Sequence, residues 1–321
     1  MTTSKPKVLI TGVSGYVGSY VCKTFLEHGG FQVRGTVRNK ANQSKIEPLR
    51  LGYGAELFSQ LDLVDADLMN EESILAAAEG CDYIVHTASP VCDINTVFEN
   101  EDEIIKPAVD GTLAIMRAAH KNKMKKVVIT SSVAAIVGGN EDSGKVFTEE
   151  DWTDLTKEGM MTYYKSKTLA EKAAWDFVAN LPHDEKIPLV TINPVVVLGP
   201  NVSTGSSESI DFAKNLILGK WPMLPKRKFG VVDIRDVSKA HLEAVLRDEA
   251  NDKRFILCAE SPELAELSRS LEAKYGAVYD GTRAMDILGI EYIGHEKSLV
   301  DMAESLIATG CIEDKRTGIA A

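Results

Sequence analysis

Short runs rich in β-branched residues alternate with longer stretches of helical periodicity along the first two thirds of this chain. We interpret the runs as strands, at 7–11, 31–37, 55–61, 82–89, 125–131 and 186–194. The stretches between them predict helices to about His28, through Leu49, near Glu71 to Ala78, from about Val97 to Asn122 and from Tyr163 to Asn180. This repeated strand–helix unit predicts an α/β fold with a doubly wound parallel sheet.

The regular alternation ends near Gly199, where segments rich in Gly, Pro and Ser begin. We therefore expect a Rossmann-type dinucleotide-binding domain over 1–198. Residues 199–321 are expected to form mainly a smaller substrate-binding lobe, with some segments returning to the sheet. Ligands of such sheets bind at the carboxyl ends of the strands. The residues that follow each apolar run are therefore the candidate site residues.

The composition limits the partners and the compartment. The chain has 47 acidic and 36 basic side chains, a net charge of −11, and no long Lys/Arg tract, which argues against nucleic acid and anionic membrane as partners. Five cysteines without a C-x-x-C spacing favour a reducing compartment. No apolar run is long enough for a signal peptide or a membrane span, so we expect a cytoplasmic protein. Six histidines without an H-E-x-x-H motif predict no metal site.

A glycine-rich loop follows the first predicted strand. Its sequence, TGVSGYVG, places three glycines at a spacing of three, directly before a helix. Such glycines permit a tight turn, let the backbone approach a pyrophosphate and let the helix pack closely on the strand. We expect the cofactor to bind along this loop, at Gly12, Ser14, Gly15, Tyr16, Val17 and Gly18. A second glycine-rich run, GNEDSGK at 139–145, is rejected as a phosphate loop because Val146 replaces the required hydroxyl and two acidic residues would repel phosphate.

The end of the second predicted strand indicates which dinucleotide binds. In NAD-binding units an acidic residue there accepts the ribose 2′-hydroxyl. Between Phe31 and Ile46 this chain has no Asp or Glu but has four cations, Arg34, Arg38, Lys40 and Lys45. Cations in this pocket would bind a 2′-phosphate, so we expect NADPH or NADP⁺ as cofactor.

Three candidate catalytic groups converge on the same sheet edge. Tyr163 and Lys167 are four residues apart in a predicted helix and so share one of its faces. The strand before that helix ends in Ser131 and Ser132. A neighbouring Lys⁺ lowers the pKa of a tyrosine hydroxyl, which makes it a usable proton donor near neutral pH. A serine hydroxyl can stabilise negative charge that develops on a carbonyl oxygen.

Seven motifs in this order and spacing resemble one enzyme family. They are TGVSGYVG, VRNK, HTASP, VVITSS, YYKSKTLAEKAAW, INPVVVLGP and VVDIRDVSKAH. Over about residues 7 to 260 the chain is similar to the extended short-chain dehydrogenase/reductases, in the group of dihydroflavonol, cinnamoyl aldehyde and yeast methylglyoxal reductases. The resemblance implies reduction of aldehydes or ketones to alcohols by hydride transfer from NADPH.

The same resemblance implies roles for individual residues. Ser132 would bind the carbonyl oxygen, Tyr163 would donate the proton, and Lys167 would lower the tyrosine pKa and hold the ribose hydroxyls. The remaining implied cofactor contacts are Arg38 and Lys45 at the 2′-phosphate, Asp67 and Leu68 at the adenine, Thr87, Ala88 and Ser89 along the nicotinamide ribose, and the segment from Pro194 to Val197 at the nicotinamide amide.

Departures from the family pattern concern the substrate. Val137 stands where plant dihydroflavonol reductases have an asparagine that grips the flavonoid, and Val91, Val133 and Val196 fall where yeast reductases tend to have aromatic residues. We therefore expect an apolar, wider pocket that accepts apolar or aromatic carbonyl substrates. After Tyr275 the chain is shorter than is usual in the family, which leaves the substrate lid undefined.

Two other functions fit the same motifs. A nucleotide-sugar epimerase or hydroxysteroid dehydrogenase shares the glycine loop and the Tyr/Lys pair. A protein of another class, an NADP-sensing regulator without turnover, would share the cofactor site but would not need Ser132, Tyr163 and Lys167 together. A monomer or a homodimer is expected, and the sequence does not specify the carbonyl substrate or the stereochemical outcome.

Overall fold

The computed structural model describes residues 5–89, 100–139, 144–202, 207–218, 220, 227–263, 275–276 and 278–313. In its amino-terminal half the elements are β1 (Lys7–Thr11), α1 (Tyr16–His28), β2 (Gln32–Val37), α2 (Gln43–Tyr53), α3 (Ala55–Phe58), β3 (Leu61–Asp65), α4 (Glu71–Ala78), β4 (Tyr83–His86), α5 (Asp102–Lys121), β5 (Lys126–Thr130) and α6 (Ala134–Val137). The later elements are β6 (Val146–Phe147), α7 (Thr162–Ala179), β7 (Leu189–Pro194), β8 (Val196–Leu198), α8 (Glu208–Ile217), β9 (Arg227–Lys228), β10 (Val231–Asp233), α9 (Ile234–Leu246), β11 (Lys253–Leu257), β12 (Tyr275–Gly276), β13 (Val278–Tyr279), α10 (Thr282–Leu288) and α11 (His295–Ala308).

Seven strands form one parallel sheet in the order β11-β7-β5-β4-β1-β2-β3. The order runs outward in both directions from the β1–β4 pair, which is the doubly wound arrangement. The predicted fold class is therefore confirmed. The ends of β1, β4 and β5 lie side by side, which brings the glycine loop and the Ser131–Ser132 dipeptide to the same edge.

The core lies on both faces of the sheet. In β1, Val8 and Ile10 pack into one hydrophobic cluster, with Phe25 of α1, and Leu9 packs into the other, with Ile115 of α5. All five side chains are fully buried. Since successive strand side chains point to opposite faces, a run of buried residues such as KVLIT is what a strand covered by helices on both sides requires.

One predicted strand was wrong. The segment 55–61 was expected to be a strand, but its first part forms the one-turn helix α3, and the strand β3 begins only at Leu61. Pairing with β2 decides this register, because Leu61 lies opposite Val33 and Asp65 opposite Val37. Leu57 and the following phenylalanine pack against the core from the helical turn. The predicted start of α5 at Val97 lies outside the described residues.

The chain returns to the sheet after Gly199. Strand β11 forms the edge of the sheet beside β7, and α9 packs on α1. The buried Lys126 ammonium of β5 donates to the carbonyl oxygens of Ala244 (3.0 Å) and Arg247 (2.7 Å) at the carboxyl end of α9. That cation satisfies carbonyls which the helix itself leaves without partners.

Within the residues that the structure describes, no helix is both long and apolar enough to cross a bilayer.

Candidate active site

The glycine loop has the geometry that a bound pyrophosphate needs. Gly12 has φ +72°, and a Cβ there would lie 2.9 Å from the Cα of Ala88. A Cβ on Gly18 would lie 2.3 Å from the carbonyl oxygen of Gly12. The first hydrogen bond of α1 runs from the Ser19 amide to the Gly15 carbonyl (2.9 Å), so the amides of the preceding turn point out of the helix end. These amides and the helix dipole suit an anion, and the loop residues therefore fit a dinucleotide.

The side chain of Tyr16 has a structural task in the same loop. It is 2% exposed, and its hydroxyl donates to the carbonyl oxygen of Gly199 at 2.9 Å. Burial raises the pKa of this phenol well above its ordinary value, so it remains protonated. The Tyr16 side chain is thus engaged within the fold, and the half-buried side chain of the neighbouring Val17 packs against the core.

Hydrogen bonds fix the ends of β1 and β4 to each other. The Thr11 hydroxyl accepts from the amides of Thr87 (3.2 Å) and Ala88 (3.1 Å), and it lies 2.8 Å from Nδ1 of His86. The Thr87 hydroxyl donates to the carbonyl of Thr11 at 2.5 Å. Burial, aided by the charge of Lys167, lowers the pKa of His86 to about 3 and keeps the imidazole neutral. Thr87 and Ala88 are thus bonded to the end of β1 beside the glycine loop.

The predicted 2′-phosphate cations do not all lie together. Arg38, Lys40 and Lys45 are exposed at the carboxyl end of β2 and the start of α2, next to the glycine loop. Arg34 is wrongly assigned to this pocket: its guanidinium pairs with Asp62 at 2.7 Å and donates to the carbonyls of Ala77 and Glu79 at the carboxyl end of α4. The position of Arg34 within β2 directs its side chain to the neighbouring strand β3, where its hydrogen bonds connect the sheet to α4.

The predicted adenine residues follow β3. The Asp67 side chain is exposed and accepts from the amide of Met69 at 3.0 Å. Leu68 is half-buried and faces Gly111 of α5, where a Cβ would lie 3.3 Å from the leucine Cβ. Both residues therefore follow β3, and Leu68 also lines the cavity that Lys167 of α7 borders.

The candidate catalytic residues are brought together by α7. Tyr163 lies in its first turn and Lys167 one turn later, with the lysine Nζ 5.8 Å from the centre of the tyrosine ring. The same Nζ donates to the hydroxyl of Ser89 at 3.0 Å. Ser132 lies two residues after the end of β5 and is half-buried, with its hydroxyl accepting from the amide of Ala134 at 3.1 Å. A phenol, an ammonium and a hydroxyl at one sheet edge can protonate and polarise a carbonyl oxygen.

Contacts between α6, which begins two residues after Ser132, and α7 hold Ser132 next to α7. The Thr168 hydroxyl lies 3.4 Å from the carbonyl oxygen of Ala134. Tyr164 packs against Gly138, where a Cβ would lie 2.6 Å from the tyrosine Cδ1. The ring of Tyr164 is perpendicular to that of Tyr163 with centres 6.3 Å apart, so the two phenols point in different directions.

The predicted nicotinamide-amide and substrate residues differ in exposure. Pro194 and Val197 are buried, and the amide of Val197 donates to the hydroxyl of Ser209 at 3.1 Å. Val133 and Val196 are half-buried, whereas Val137 is 1% exposed and belongs to the core cluster. Val91, also predicted to line the pocket, lies outside the described residues. Across the described ranges, no group of three or more His, Cys, Asp or Glu side chains could hold a metal ion.

A buried carboxylate beneath these residues was not predicted from the sequence. Glu171 is 2% exposed and one turn beyond Lys167 on α7. It accepts from Ser131 and pairs with Arg254 of β11. Its spacing of four from Lys167 was a signal available in the sequence, but the arginine partner lies 83 residues away.

Comparison with known proteins agrees with this architecture. The NAD dependent epimerase/dehydratase family matches residues 8–258. Tetraketide alpha-pyrone reductase 1 of Arabidopsis thaliana is 33% identical over 97% of this chain and 98% of its own length. Cinnamoyl-CoA reductase CAD2 of Medicago truncatula is 32% identical over 93% of this chain and 95% of its own.

A solved structure gives the same picture in three dimensions. Gre2 from Candida albicans, in complex with NADPH, superposes with a TM-score of 0.78 at 26% identity, covering 94% of this chain and 99% of that one. The resemblance to extended reductases of this group is confirmed, as is the assignment to the oxidoreductases. The chain belongs to the NAD dependent epimerase/dehydratase family.

Proposed function

We propose that this chain is an NADPH-dependent reductase that converts aldehydes or ketones to alcohols, with Tyr163 as the proton donor. The observation that carries the proposal is the position of the Lys167 ammonium, 5.8 Å from the Tyr163 ring and 3.0 Å from the Ser89 hydroxyl. Ser89 ends the segment that is bound to β1 beside the glycine loop. The proton donor therefore stands where a nicotinamide bound along that loop would end.

Each group of the chain has a defined task in this reaction. NADPH, when bound, supplies the hydride. The glycine loop and the amides at the start of α1 hold the pyrophosphate, and Arg38 and Lys45 hold the 2′-phosphate. Lys167 holds the ribose and lowers the pKa of Tyr163 through its positive charge. Ser132 donates a hydrogen bond to the carbonyl oxygen as negative charge grows there, and Tyr163 then protonates it.

Apolar side chains set the substrate preference in this proposal. Val133 and Val196 are half-buried near the ends of β5 and β7 and offer no directional contact to polar substituents. Val137 is buried in the core, so its influence on the substrate is through the packing of α6. At about 25 cal/mol per Å², a ring that buries on the order of 100 Å² gains roughly 2.5 kcal/mol before ordering costs. Bulky aryl or alkyl aldehydes and ketones are therefore the preferred substrates.

The direct test is a panel of aldehydes and ketones scored by NADPH oxidation and by the alcohol formed. The expected result is a higher kcat/KM for benzaldehyde- and isovaleraldehyde-sized compounds than for methylglyoxal. The Val133→Asn variant should reduce the difference in kcat/KM between these compounds and methylglyoxal. The Val137→Asn variant changes a buried residue, so measuring its unfolding together with its activity separates effects on the pocket from effects on folding. A ranking led by methylglyoxal would contradict the apolar pocket, and NADPH binding with no turnover of any carbonyl would favour the sensing regulator.

Epimerase chemistry is the alternative within the family. It requires transient oxidation of a sugar and return of the hydride, so NADP⁺ and NADPH are not consumed. Net formation of an alcohol with equimolar loss of NADPH separates the reductase from it. We also propose a cytoplasmic location and a monomeric or homodimeric state. Free thiols support a reducing compartment, and four cysteines are free: Cys22, Cys81, Cys258 and Cys311.

A further inference from the structure

Five donors surround the Glu171 carboxylate on α7. Its Oε2 accepts from the hydroxyl of Ser131 (2.5 Å) and the amide of Asn193 (2.7 Å). Its Oε1 accepts from Nε of Arg254 (2.6 Å), the hydroxyl of Thr191 (3.2 Å) and the indole of Trp175 (3.3 Å). A carboxylate has about four lone-pair positions, so this one is fully used.

Lys167 and Glu171 would ordinarily pair with each other. They are four residues apart on one helix, a spacing at which opposite charges meet, and they line the same cavity. Yet among the described residues the carboxylate has one ion pair, with Arg254. The lysine ammonium instead donates to Ser89 and lies beside the ring of Tyr163.

Arg254 is held firmly where it meets the carboxylate. Its Nη1 donates to the carbonyl oxygens of Glu149 and Asp151, each at 2.6 Å. Its guanidinium carbon lies 3.8 Å from the centre of the Trp152 ring, a cation–π contact. The side chain is 7% exposed. A fixed, always-charged partner is a stronger competitor for a buried carboxylate than a flexible lysine.

We propose, on the basis of the proposed reductase function, that Arg254 is a positioning residue: by taking the Glu171 carboxylate it leaves the Lys167 ammonium to act on Tyr163. Without Arg254, the carboxylate would lie in a low-dielectric site with Lys167 one turn away on the same helix. A Lys167–Glu171 pair would cancel the positive charge that favours the tyrosine phenolate. The pKa of Tyr163 would then rise.

The other described charged and titratable groups around Tyr163, Lys167 and Glu171 are either neutral or paired. His86 on β4 is neutral, because burial lowers its pKa to about 3. Glu101, before α5, pairs with Lys165 at 2.7 Å, and Lys172 lies over the Trp152 ring at 5.2 Å. Among the described residues, the uncharged side chains that line the cavity beside Lys167 or bind Glu171 include Leu68, Ala108 and Thr112, Thr130 and Ser131, and Thr191 and Asn193 of β7. The Thr130 hydroxyl lies 2.7 Å from Nε2 of His241 on α9, which is also neutral because burial lowers its pKa to about 4. Among the described residues, Arg254 is thus the cation that forms an ion pair with Glu171.

The test measures ionisation of Tyr163 by the ultraviolet absorbance of its phenolate during a pH titration of the full chain. For each variant, the absorbance of the same variant with Tyr163→Phe added is subtracted, so that the difference comes from Tyr163. For Arg254→Met, the Tyr163 midpoint should move upward by about one pH unit or more. Adding Glu171→Gln to Arg254→Met should return the midpoint to the wild-type value, because no carboxylate is left to take Lys167. An unchanged midpoint in folded Arg254→Met would overturn the proposal. A shift of the Tyr163 midpoint that persists in the double variant would also overturn the proposal, because loss of the arginine charge alone would then explain it.

Two controls keep the result interpretable. Circular dichroism shows which variants are folded. If Arg254→Met is not folded, Arg254→Gln replaces it, and the same upward shift of the Tyr163 midpoint is expected. The glutamine amide removes the charge but keeps a hydrogen-bond donor for the carboxylate. Arg254→Lys retains the charge but not the fixed, stacked geometry, so it should shift the midpoint less than Arg254→Met does. The titration needs no substrate: a wild-type chain that shows the lowered Tyr163 midpoint but reduces no carbonyl refutes the proposed function, whereas an active chain without the Arg254 effect refutes only this inference.

Discussion

Replacing Gly12 by alanine tests whether the glycine loop is shaped by close backbone approach. Gly12 has φ +72°, and its Cβ would lie 2.9 Å from both the Cα and the Cβ of Ala88. Gly80 provides a matched control, because it has φ +70° and no atom within 4 Å of the corresponding Cβ. The two substitutions therefore share the left-handed backbone penalty and differ in the contact.

The expected difference follows from these distances. Both variants lose roughly 1–2 kcal/mol from the left-handed conformation. Alanine at Gly12 must in addition push the Ala88 backbone away by about half an ångström to reach an ordinary contact, which costs about 1–3 kcal/mol as overpacking. Because that backbone borders the dinucleotide site, the displacement should also weaken NADPH binding by about tenfold or more, equivalent to about 1.4 kcal/mol.

Urea denaturation gives the free energy of unfolding of each variant, and quenching of tryptophan fluorescence gives the NADPH dissociation constant. We expect Gly12→Ala to unfold more easily than Gly80→Ala and to bind NADPH more weakly, while Gly80→Ala binds it normally. Equal stability and equal NADPH affinity in the two variants would refute the close-approach explanation of the loop.

Three further predictions concern the cofactor, the acid and the response to pH. Arg38→Asp should shift the ratio of kcat/KM values from NADPH toward NADH, and better use of NADH by the unmutated protein would contradict the assignment of the 2′-phosphate site. Tyr163→Phe should lower kcat by roughly 10² or more while NADPH still binds, and Tyr164→Phe serves as the control that retains turnover. Burial raises the pKa of Asp236 to about 6, so its carboxyl contributes stability that is fully present below its ordinary pKa of 3.8 and is lost as pH rises through 6. Asp236→Asn keeps an acceptor for the Ile293 amide (2.7 Å) and should therefore lose less stability than the wild type between pH 4 and 6.5, whereas parallel pH dependences would argue against the raised pKa.

Local patterns in the sequence were sufficient to predict the fold class and to select most of the candidate site residues. The alternation of strand and helix periods predicts a doubly wound sheet because each strand must be covered on both faces. Gly12, Gly15 and Gly18 are close in sequence, and Tyr163 and Lys167 are one helical turn apart, so their geometry follows from a single turn and a single helix. Such features depend on neighbouring residues and can be predicted from them.

Contacts between distant segments were decided only by the tertiary structure. The segment 55–61 has an apolar pattern that fits a strand, but pairing with β2 places the strand from Leu61 onward. Arg34 falls in the predicted cofactor segment, but it forms an ion pair with Asp62 on the neighbouring strand instead. Glu171 and Arg254 are 83 residues apart, and the sequence offers several acids and bases for each of them. Only the adjacency of β11, β7 and α7 brings these two charges together in a site where neither could remain buried alone.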